Sequence, residues 1–133
     1  PFVIIENAVK YAPHGTEISV RFEENENEII VRFDSYGPKI RENEKQKIFE
    51  QNFRGDAARV SEKSGSGIGL YAAKSLLESQ FSGKIYVNQI GGATSFNGDA
   101  FYTTRFTIII PVAEESRGFD PARISRRRKF SFN

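Results

Sequence analysis

Three glycines at alternate positions, Gly65, Gly67 and Gly69, are the residues whose spacing most clearly suggests a ligand. They stand directly before a stretch with the apolar spacing of an amphipathic helix. Backbone N–H groups and the helix dipole favour an anion such as phosphate at that position, and glycine lets the backbone approach it closely. A flexible turn can have the same sequence, and the loop fits neither the Walker nor the Rossmann fingerprint. Other residues must therefore decide whether it binds phosphate.

An amide and an ammonium group three residues apart form a second candidate site. Asn7 and Lys10 fall within one turn of a predicted helix, with Tyr11 beside them. Residues at i and i+3 share a helix face, so the amide oxygen and the ammonium group could meet one Mg²⁺–phosphate group. Without the glycine loop, the same residues would be the solvated side of an amphipathic helix. The two patterns together predict a site for a metal-bound phosphate.

The elements that must position these groups follow from hydrophobic periodicity and turn residues. The predicted elements are a helix at 2–11, a hairpin of strands at 17–22 and 29–33, a loop at 34–40, a short charged helix at 42–49, a long loop at 51–65, a helix at 69–79, and strands at 84–87 and 104–111 joined by a Gly-rich loop at 91–98. Helices that pack on one face of a mixed, mostly antiparallel sheet form a two-layer α/β sandwich, which is the fold we predict.

The composition is typical of a soluble globular domain with a basic end. Hydrophobic residues make up 38% and charged residues 27%, and no stretch has the length of a membrane span. The absence of cysteine excludes disulfides and thiolate metal sites and favours a cytoplasmic location. Basic residues cluster near the end and not on the folded body, so we expect no nucleic-acid binding. We predict one domain at 1–112, with its first helix cut short and an upstream segment missing, and a flexible basic tail at 113–133.

Three motifs, in order, resemble the GHKL ATPases, whose ATP-binding domain has the Bergerat fold, and specifically the catalytic domain of sensor histidine kinases. Ile5–Pro13 resembles their asparagine box in the version Asn-Ala-x-Lys-Tyr. Ile48–Gly55 resembles their phenylalanine box, and Gly65–Lys74 resembles their second glycine box. The resemblance covers roughly residues 2–111, and the ordered combination is far more specific than any single motif.

The resemblance implies a role for each matching residue in binding ATP and Mg²⁺. Asn7 would ligate Mg²⁺, Lys10 would reach a phosphate, and Tyr11 would pack against adenine. Phe49 and Phe53 would anchor a mobile ATP lid that runs to the glycine loop. The expected catalytic residues are Asn7 and Lys10, and the expected nucleotide contacts are Asn7, Lys10, Tyr11, Asp34, Ser35, Gly37, Ile40, Phe49, Phe53, Arg54, Gly65, Ser66, Gly67, Ile68, Gly69 and Leu70.

The stretch that should form the first glycine box departs from the family pattern Asp-x-Gly-x-Gly. If Gly37 is its first glycine, Ser35 takes the place of the aspartate that accepts a hydrogen bond from the adenine amino group, and Lys39 replaces the second glycine. Asp34 is one residue away and would point to the opposite face of a strand. Either the loop is re-registered so that Asp34 reaches the base, or Ser35 reads the base, for example through water.

Val3, four residues before Asn7, bears on the type of reaction. Related ATPases that hydrolyse ATP with water use a Glu there as general base, whereas an imidazole is already a nucleophile and needs no such base. The resemblance thus implies a two-component histidine kinase that transfers the γ-phosphoryl group to a histidine on a separate dimerisation domain, because His14 lies in a predicted turn. A response regulator and a homodimeric full-length protein are the implied partners.

Two alternatives remain for the function. The first is a degenerate kinase-like module that holds nucleotide weakly or not at all and signals by docking, which Ser35 and Lys39 favour. The second is an ATPase of the gyrase, mismatch-repair or chaperone type, against which Val3 and the phenylalanine box argue.

Overall fold

A computed structural model of the protein describes residues 2–51, 53, 69–112 and 128–132. The described elements are helix α1 (Phe2–Tyr11), strands β1 (Ile18–Glu24) and β2 (Glu28–Gly37), two 3₁₀ turns (Glu42–Glu44 and Lys47–Phe49), helix α2 (Gly69–Phe81), and strands β3 (Lys84–Phe96), β4 (Asp99–Pro111) and β5 (Arg128–Phe132). Neither α1 nor α2 has the length and apolar character needed to cross a membrane.

The five strands form one sheet in the order β3-β4-β2-β1-β5, and every described pairing is antiparallel. One row of paired residues runs across four strands through Val20, Phe33, Phe106 and Val87. Side chains alternate between the two faces of a sheet, so this register gives all four strands apolar residues on one face.

Both helices cover this apolar face. α1 packs on β2, α2 packs on β3, and the two helices contact each other. Ile4 of α1, only 1% exposed, and Leu77 of α2 meet the strand residues in the core. The core cluster consists of Ile4, Phe33, Phe49, Leu77, Ile85, Val87, Phe106 and Ile108. This confirms the predicted two-layer α/β sandwich with helices on one face.

The predicted elements differ most from the structure at three places. Residues 34–37, predicted as loop, continue β2 because they pair with β4 from Asp34↔Arg105 to Gly37↔Tyr102. The predicted Gly-rich loop at 91–98 is mostly strand, and the hairpin closes at Asn97 and Gly98, whose φ values are 51° and 84°. Positive φ at both positions is the geometry of a type I′ turn. The short charged helix at 42–49 is two 3₁₀ turns.

Strand β5 lies within the segment that the sequence predicts as a tail. Its five residues pair with β1, from Ile18↔Phe132 to Phe22↔Arg128, and form an edge of the sheet. For 128–132 the structure therefore shows an edge strand where a flexible tail is predicted. The proposed domain boundary at 112 stays a prediction.

Candidate nucleotide-binding site

The first turn of α1 and the first residue of α2 are in close contact. A Cβ atom added at Gly69 would lie 2.9 Å from Cγ1 of Val3, so only glycine allows the helices to approach this closely. Asn7 and Lys10 follow Val3 at i+4 and i+7, which places all three on one stripe of α1. The stripe that carries Asn7 and Lys10 therefore turns towards the start of α2.

Lys10 and Tyr11 form a local pair at the end of this stripe. The Lys10 ammonium nitrogen lies 5.2 Å from the centre of the Tyr11 ring, and Asn7, Lys10 and Tyr11 are all partly buried. Mg²⁺ in nucleotide sites usually takes one or two protein oxygens and completes its shell with phosphate oxygens and water. The Asn7 amide oxygen fits as such a ligand, and the nearby ammonium group fits a phosphate oxygen.

Asp34 does not join these residues. It lies in the row Ser19, Asp34, Arg105, Asn88, one residue out of phase with the buried row and thus on the opposite face of the sheet. Its carboxylate accepts hydrogen bonds from Arg105 Nε at 2.7 Å, Arg105 Nη2 at 2.8 Å and Arg21 Nη2 at 2.6 Å. The strand keeps regular register through this point, so the structure does not show the re-registered loop.

The titration of Asp34 reflects this double ion pair. Burial alone raises the pKa of its carboxyl, but the hydrogen bonds and charges of Arg105 and Arg21 outweigh burial and hold the pKa below its ordinary value. The same hydrogen bond raises the pKa of Arg105. Asp34 is thus an ionised carboxylate held by two guanidinium groups, with its side chain 15% exposed.

Ser35 lies on the helix side of the sheet, in a polar row with Thr104 and Gln89. Gln89 Nε2 donates to Thr104 Oγ1 at 3.0 Å and to the Pro38 carbonyl at 2.8 Å, and Gln89 Oε1 accepts from the Ile40 N–H at 2.9 Å. The sequence analysis missed Thr104 and Gln89. Their alternation with Phe106 and Val87 is the signal that could have placed them beside Ser35.

Gly37 and Ile40 border this polar row. A Cβ atom added at Gly37 would lie 3.1 Å from Thr104 Oγ1, so the end of β2 approaches β4 closely there. Ile40 packs against the core cluster, as does Leu70 in the first turn of α2. The loop after β2 is therefore fixed against the same core that supports both helices.

Phe49 is a core residue. It is 5% exposed, its ring meets that of Phe106 edge-on at 6.2 Å between centroids, and Lys74 Nζ lies 5.8 Å from its ring centre. Phe53 is partly buried, and its N–H donates to the Glu50 carbonyl. Of the predicted contacts, Arg54, Gly65, Ser66, Gly67 and Ile68 lie outside the described residues.

Comparison with known families gives one match over most of the chain. Residues 3–114 match the family described as histidine kinase-, DNA gyrase B-, and HSP90-like ATPase. The match spans both helices and strands β1 to β4, which carry the described residues of the candidate site.

Individual relatives are sensor proteins. The chain is 35% identical over 94 residues to sensor protein SrrB of Staphylococcus aureus, which is 70% of this chain but 16% of the relative. The fold is similar to that of a mycobacterial sensor histidine kinase, MprB, with a TM-score of 0.67 at 24% identity over 82% of this chain and 67% of the other. It also resembles full-length ShkA, solved in complex with AMPPNP, with a TM-score of 0.60 at 21% identity over 84% of this chain and 20% of the other.

Proposed function

Because the chain belongs to the histidine kinase-, DNA gyrase B- and HSP90-like ATPase family, we propose that it binds Mg-ATP and donates the γ-phosphoryl group to a histidine on another domain. The observation that supports the proposal is the contact between Val3 and Gly69, which turns the stripe of α1 that carries Asn7 and Lys10 towards the start of α2. Membership of the family implies ATP binding, and its sensor relatives favour the histidine-kinase branch.

Each group of the site has a task in this proposal. The Asn7 amide oxygen ligates Mg²⁺, Lys10 neutralises a phosphate oxygen, and the N–H groups at the start of α2 face the phosphates. When bound, Mg²⁺ offsets the charge that develops on the phosphates. The acceptor imidazole nitrogen bonds to the γ-phosphorus as the bond to the ADP oxygen breaks, and the protein contributes position and charge.

Val3 favours transfer to histidine over hydrolysis by water. Its branched side chain packs against Gly69, so an apolar group occupies the position from which a carboxylate would activate water. An imidazole acceptor needs no such activation. The acceptor in this proposal is a histidine on a dimerisation domain of the same or a partner kinase, in a homodimeric protein that passes the phosphoryl group to a response regulator. A cytoplasmic location goes with this role.

The proposed site has two ends: a phosphate end at Asn7 and Lys10, and a base end at Ser35, where adenine would lie. The base end carries less charge than the phosphate end. Ser35 is the residue of the altered box that lies on the helix side, while Asp34 is held by Arg21 and Arg105 on the other face. A hydroxyl group can donate or accept a hydrogen bond, directly or through water, so it distinguishes bases less strictly than a carboxylate does. We therefore propose secure phosphate binding with relaxed selectivity for adenine.

Titration of the protein with Mg-ATP and Mg-GTP tests the proposal. Wild type should bind both at millimolar concentration or below, and removing Mg²⁺ with a chelator should weaken binding. Asn7→Ala should weaken Mg-ATP binding by at least about tenfold, since even supporting residues of metal sites contribute that much. Asn88→Ala is the matched control, because Asn88 is exposed on the opposite face of the sheet.

Each remaining outcome selects an alternative. If wild type binds neither nucleotide, the kinase-like docking module replaces the kinase. If wild type hydrolyses ATP with water and phosphorylates no histidine, the chain works like the gyrase or chaperone branch of the family.

A further inference from the structure

We propose that Gln89 is a positioning residue for nucleotide binding, whose side-chain amide clamps the loop after β2 in the shape the base end of the site requires. The inference rests on the proposed function. Gln89 belongs to none of the motifs that carry the resemblance, and it lies on β3, 49 and 51 residues from its loop partners Ile40 and Pro38. It would act on the nucleotide through that loop.

Both N–H donors and the carbonyl oxygen of the Gln89 side-chain amide form hydrogen bonds. Both N–H donors are engaged, one with the Pro38 carbonyl and one with Thr104 Oγ1, while the amide oxygen accepts from the Ile40 N–H. The two loop partners are backbone groups, so the clamp holds residues 38–40 whatever side chain stands at Lys39. A carboxylate of the same length lacks both donors, and an aliphatic side chain lacks all three contacts.

The clamped loop continues directly from the residues that should meet the base. Ser35 and Gly37 precede it on β2, and Gly37 is already so close to Thr104 that a Cβ atom would lie 3.1 Å from Oγ1. Beyond it, Ile40 packs on the core cluster that contains Ile4 of α1. The clamp thus connects the base end of the site to the helix that carries Asn7 and Lys10.

Thr104 helps to fix the position of the Gln89 side chain. Thr104 is only 6% exposed. Its hydroxyl group accepts a hydrogen bond from Gln89 and donates one to the Tyr102 carbonyl at 3.1 Å. A buried hydroxyl group without hydrogen-bond partners is unfavourable, so the burial of Thr104 favours the hydrogen bond that joins it to Gln89. Because no carboxylate of β2 faces this side, selection of a base depends on the Ser35 hydroxyl and on the position of the loop that follows it.

Two variants and one control test the inference in the full chain. Gln89→Leu removes all three hydrogen bonds, Gln89→Glu keeps the acceptor and removes the donors, and Asn88→Asp makes the same amide-to-carboxylate change at the exposed neighbour. The rate of hydrogen exchange at the Ile40 amide, measured without nucleotide, reports on the hydrogen bond between Ile40 and Gln89. It should speed up roughly tenfold in Gln89→Leu, and Mg-ATP binding should weaken by a similar factor, as expected for the loss of one or two net hydrogen bonds. Asn88→Asp should change neither.

The pH dependence of Mg-ATP affinity distinguishes a positioning role of Gln89 from a role in the stability of the fold. In Gln89→Glu, the carboxyl group regains an O–H donor when protonated, so Mg-ATP affinity relative to wild type at the same pH should recover as the pH falls towards about 4 to 5. The Mg-ATP affinity of Gln89→Leu relative to wild type should not change with pH. A merely structural residue would change thermal stability and leave this ratio unchanged.

The outcomes distinguish this inference from the proposed function. If wild type binds no Mg-ATP, the proposed function fails and the clamp has no nucleotide to position. If wild type binds Mg-ATP and the folded Gln89 variants bind it equally well, only the inference about Gln89 is overturned. An Ile40 amide that exchanges freely in wild type overturns it as well.

Discussion

Asp34 and Ser35 are neighbours with different surroundings because successive residues of a strand face opposite sides of the sheet. Asp34 lies on the outer face between Arg21 and Arg105, and Ser35 lies on the helix side with Thr104. A shift of one residue would exchange them completely. The register of β2 with β4 thus determines which of the two can meet a nucleotide, and it assigns Asp34 to stability.

Asp34→Asn should lower the free energy of unfolding by about 1–3 kcal/mol at pH 7, because it removes charged hydrogen bonds to two guanidinium groups. The folded-state pKa of Asp34 is depressed, so its contribution is present above the unfolded value of about 3.9 and is lost as the pH falls through the folded value. Wild type and variant should therefore converge in acid. Urea unfolding at pH 7 and at about pH 2 measures both.

The matched control is Asp99→Asn, at an exposed position beside the hairpin turn, which should change stability little. Mg-ATP affinity of Asp34→Asn should equal that of wild type. Weakened ATP binding with unchanged stability would show that Asp34 reaches the base after all.

Ser35→Asp should restore a carboxylate on the helix side of β2. It should strengthen Mg-ATP binding roughly tenfold, because a carboxylate accepts a stronger hydrogen bond from the adenine amino group than a hydroxyl does. Mg-GTP should gain nothing, since guanine presents a carbonyl oxygen at the equivalent position. Competition between the two nucleotides measures the ratio, and Ser95→Asp on the exposed hairpin provides the control. Equal gains for both nucleotides would place the base elsewhere.

At the scale of elements, the sequence predicted the two α-helices better than the short helix at 42–49 and the ends of the strands. The apolar spacing of α1 and α2 was sufficient for both, because their buried residues lie on one face. The tip of β3 has no such pattern at Gly91, Gly92 and Ala93. Those residues form a bulge in β3, and the pairs Ile90↔Thr103 and Thr94↔Phe101 on either side hold the bulge in the hairpin.

The hairpin was missed although its turn has a recognisable signal. Asn-Gly is the preferred pair for a type I′ turn, and Asn97 and Gly98 adopt the positive φ values that this turn requires. Contacts between Tyr36, Phe96 and Phe101 then hold the extended strands together, with ring centroids 5.0 and 5.7 Å apart. These contacts join β2, β3 and β4, and no local pattern could show them.

The same limit applies to the site. Asn7, Lys10 and Gly69 each stand in a local motif, so the sequence alone can propose them as site residues. Strand alternation can place Gln89 on the helix side of the sheet, but it cannot show the hydrogen bonds of Gln89, because its partners are 15 to 51 residues away in sequence. The proposed phosphate contacts can thus be derived from local motifs, whereas the surroundings of Ser35 depend on the register of three strands.

Gly69→Ala should separate α1 from α2. The new methyl group would lie 2.9 Å from Val3 Cγ1, and the branched side chain cannot rotate away without strain. We expect a loss of about 1–3 kcal/mol in unfolding free energy and weaker Mg-ATP binding. The double variant Val3→Ala with Gly69→Ala should recover much of both, whereas Gly92→Ala, in open space, should have little effect. An unchanged affinity in Gly69→Ala would show that the helix contact does not set the site.

At the scale of the whole molecule, the candidate site and strand β5 lie at different places in one sheet. The candidate site uses α1, the start of α2, the end of β2 and the middle of β3 and β4, while β5 lies beyond β1 at the opposite edge. β5 contacts the rest of the described chain by pairing with β1. The sheet can therefore lose β5 without losing a strand that borders the site.

A chain that ends at Val112 should fold and bind Mg-ATP within about twofold of the full chain, which also tests the predicted domain boundary. Val112 should remain fixed, because its N–H donates to the Asn27 carbonyl. Hydrogen exchange should speed up at the β1 amides that face β5, and the exposed edge should make the shortened chain more prone to associate. A full chain with Arg126→Gln, Arg127→Gln and Arg128→Gln separates the loss of charge from the loss of the strand. If the shortened chain unfolds or loses Mg-ATP, residues after 112 belong to the domain, and β5 completes the sheet on which the site depends.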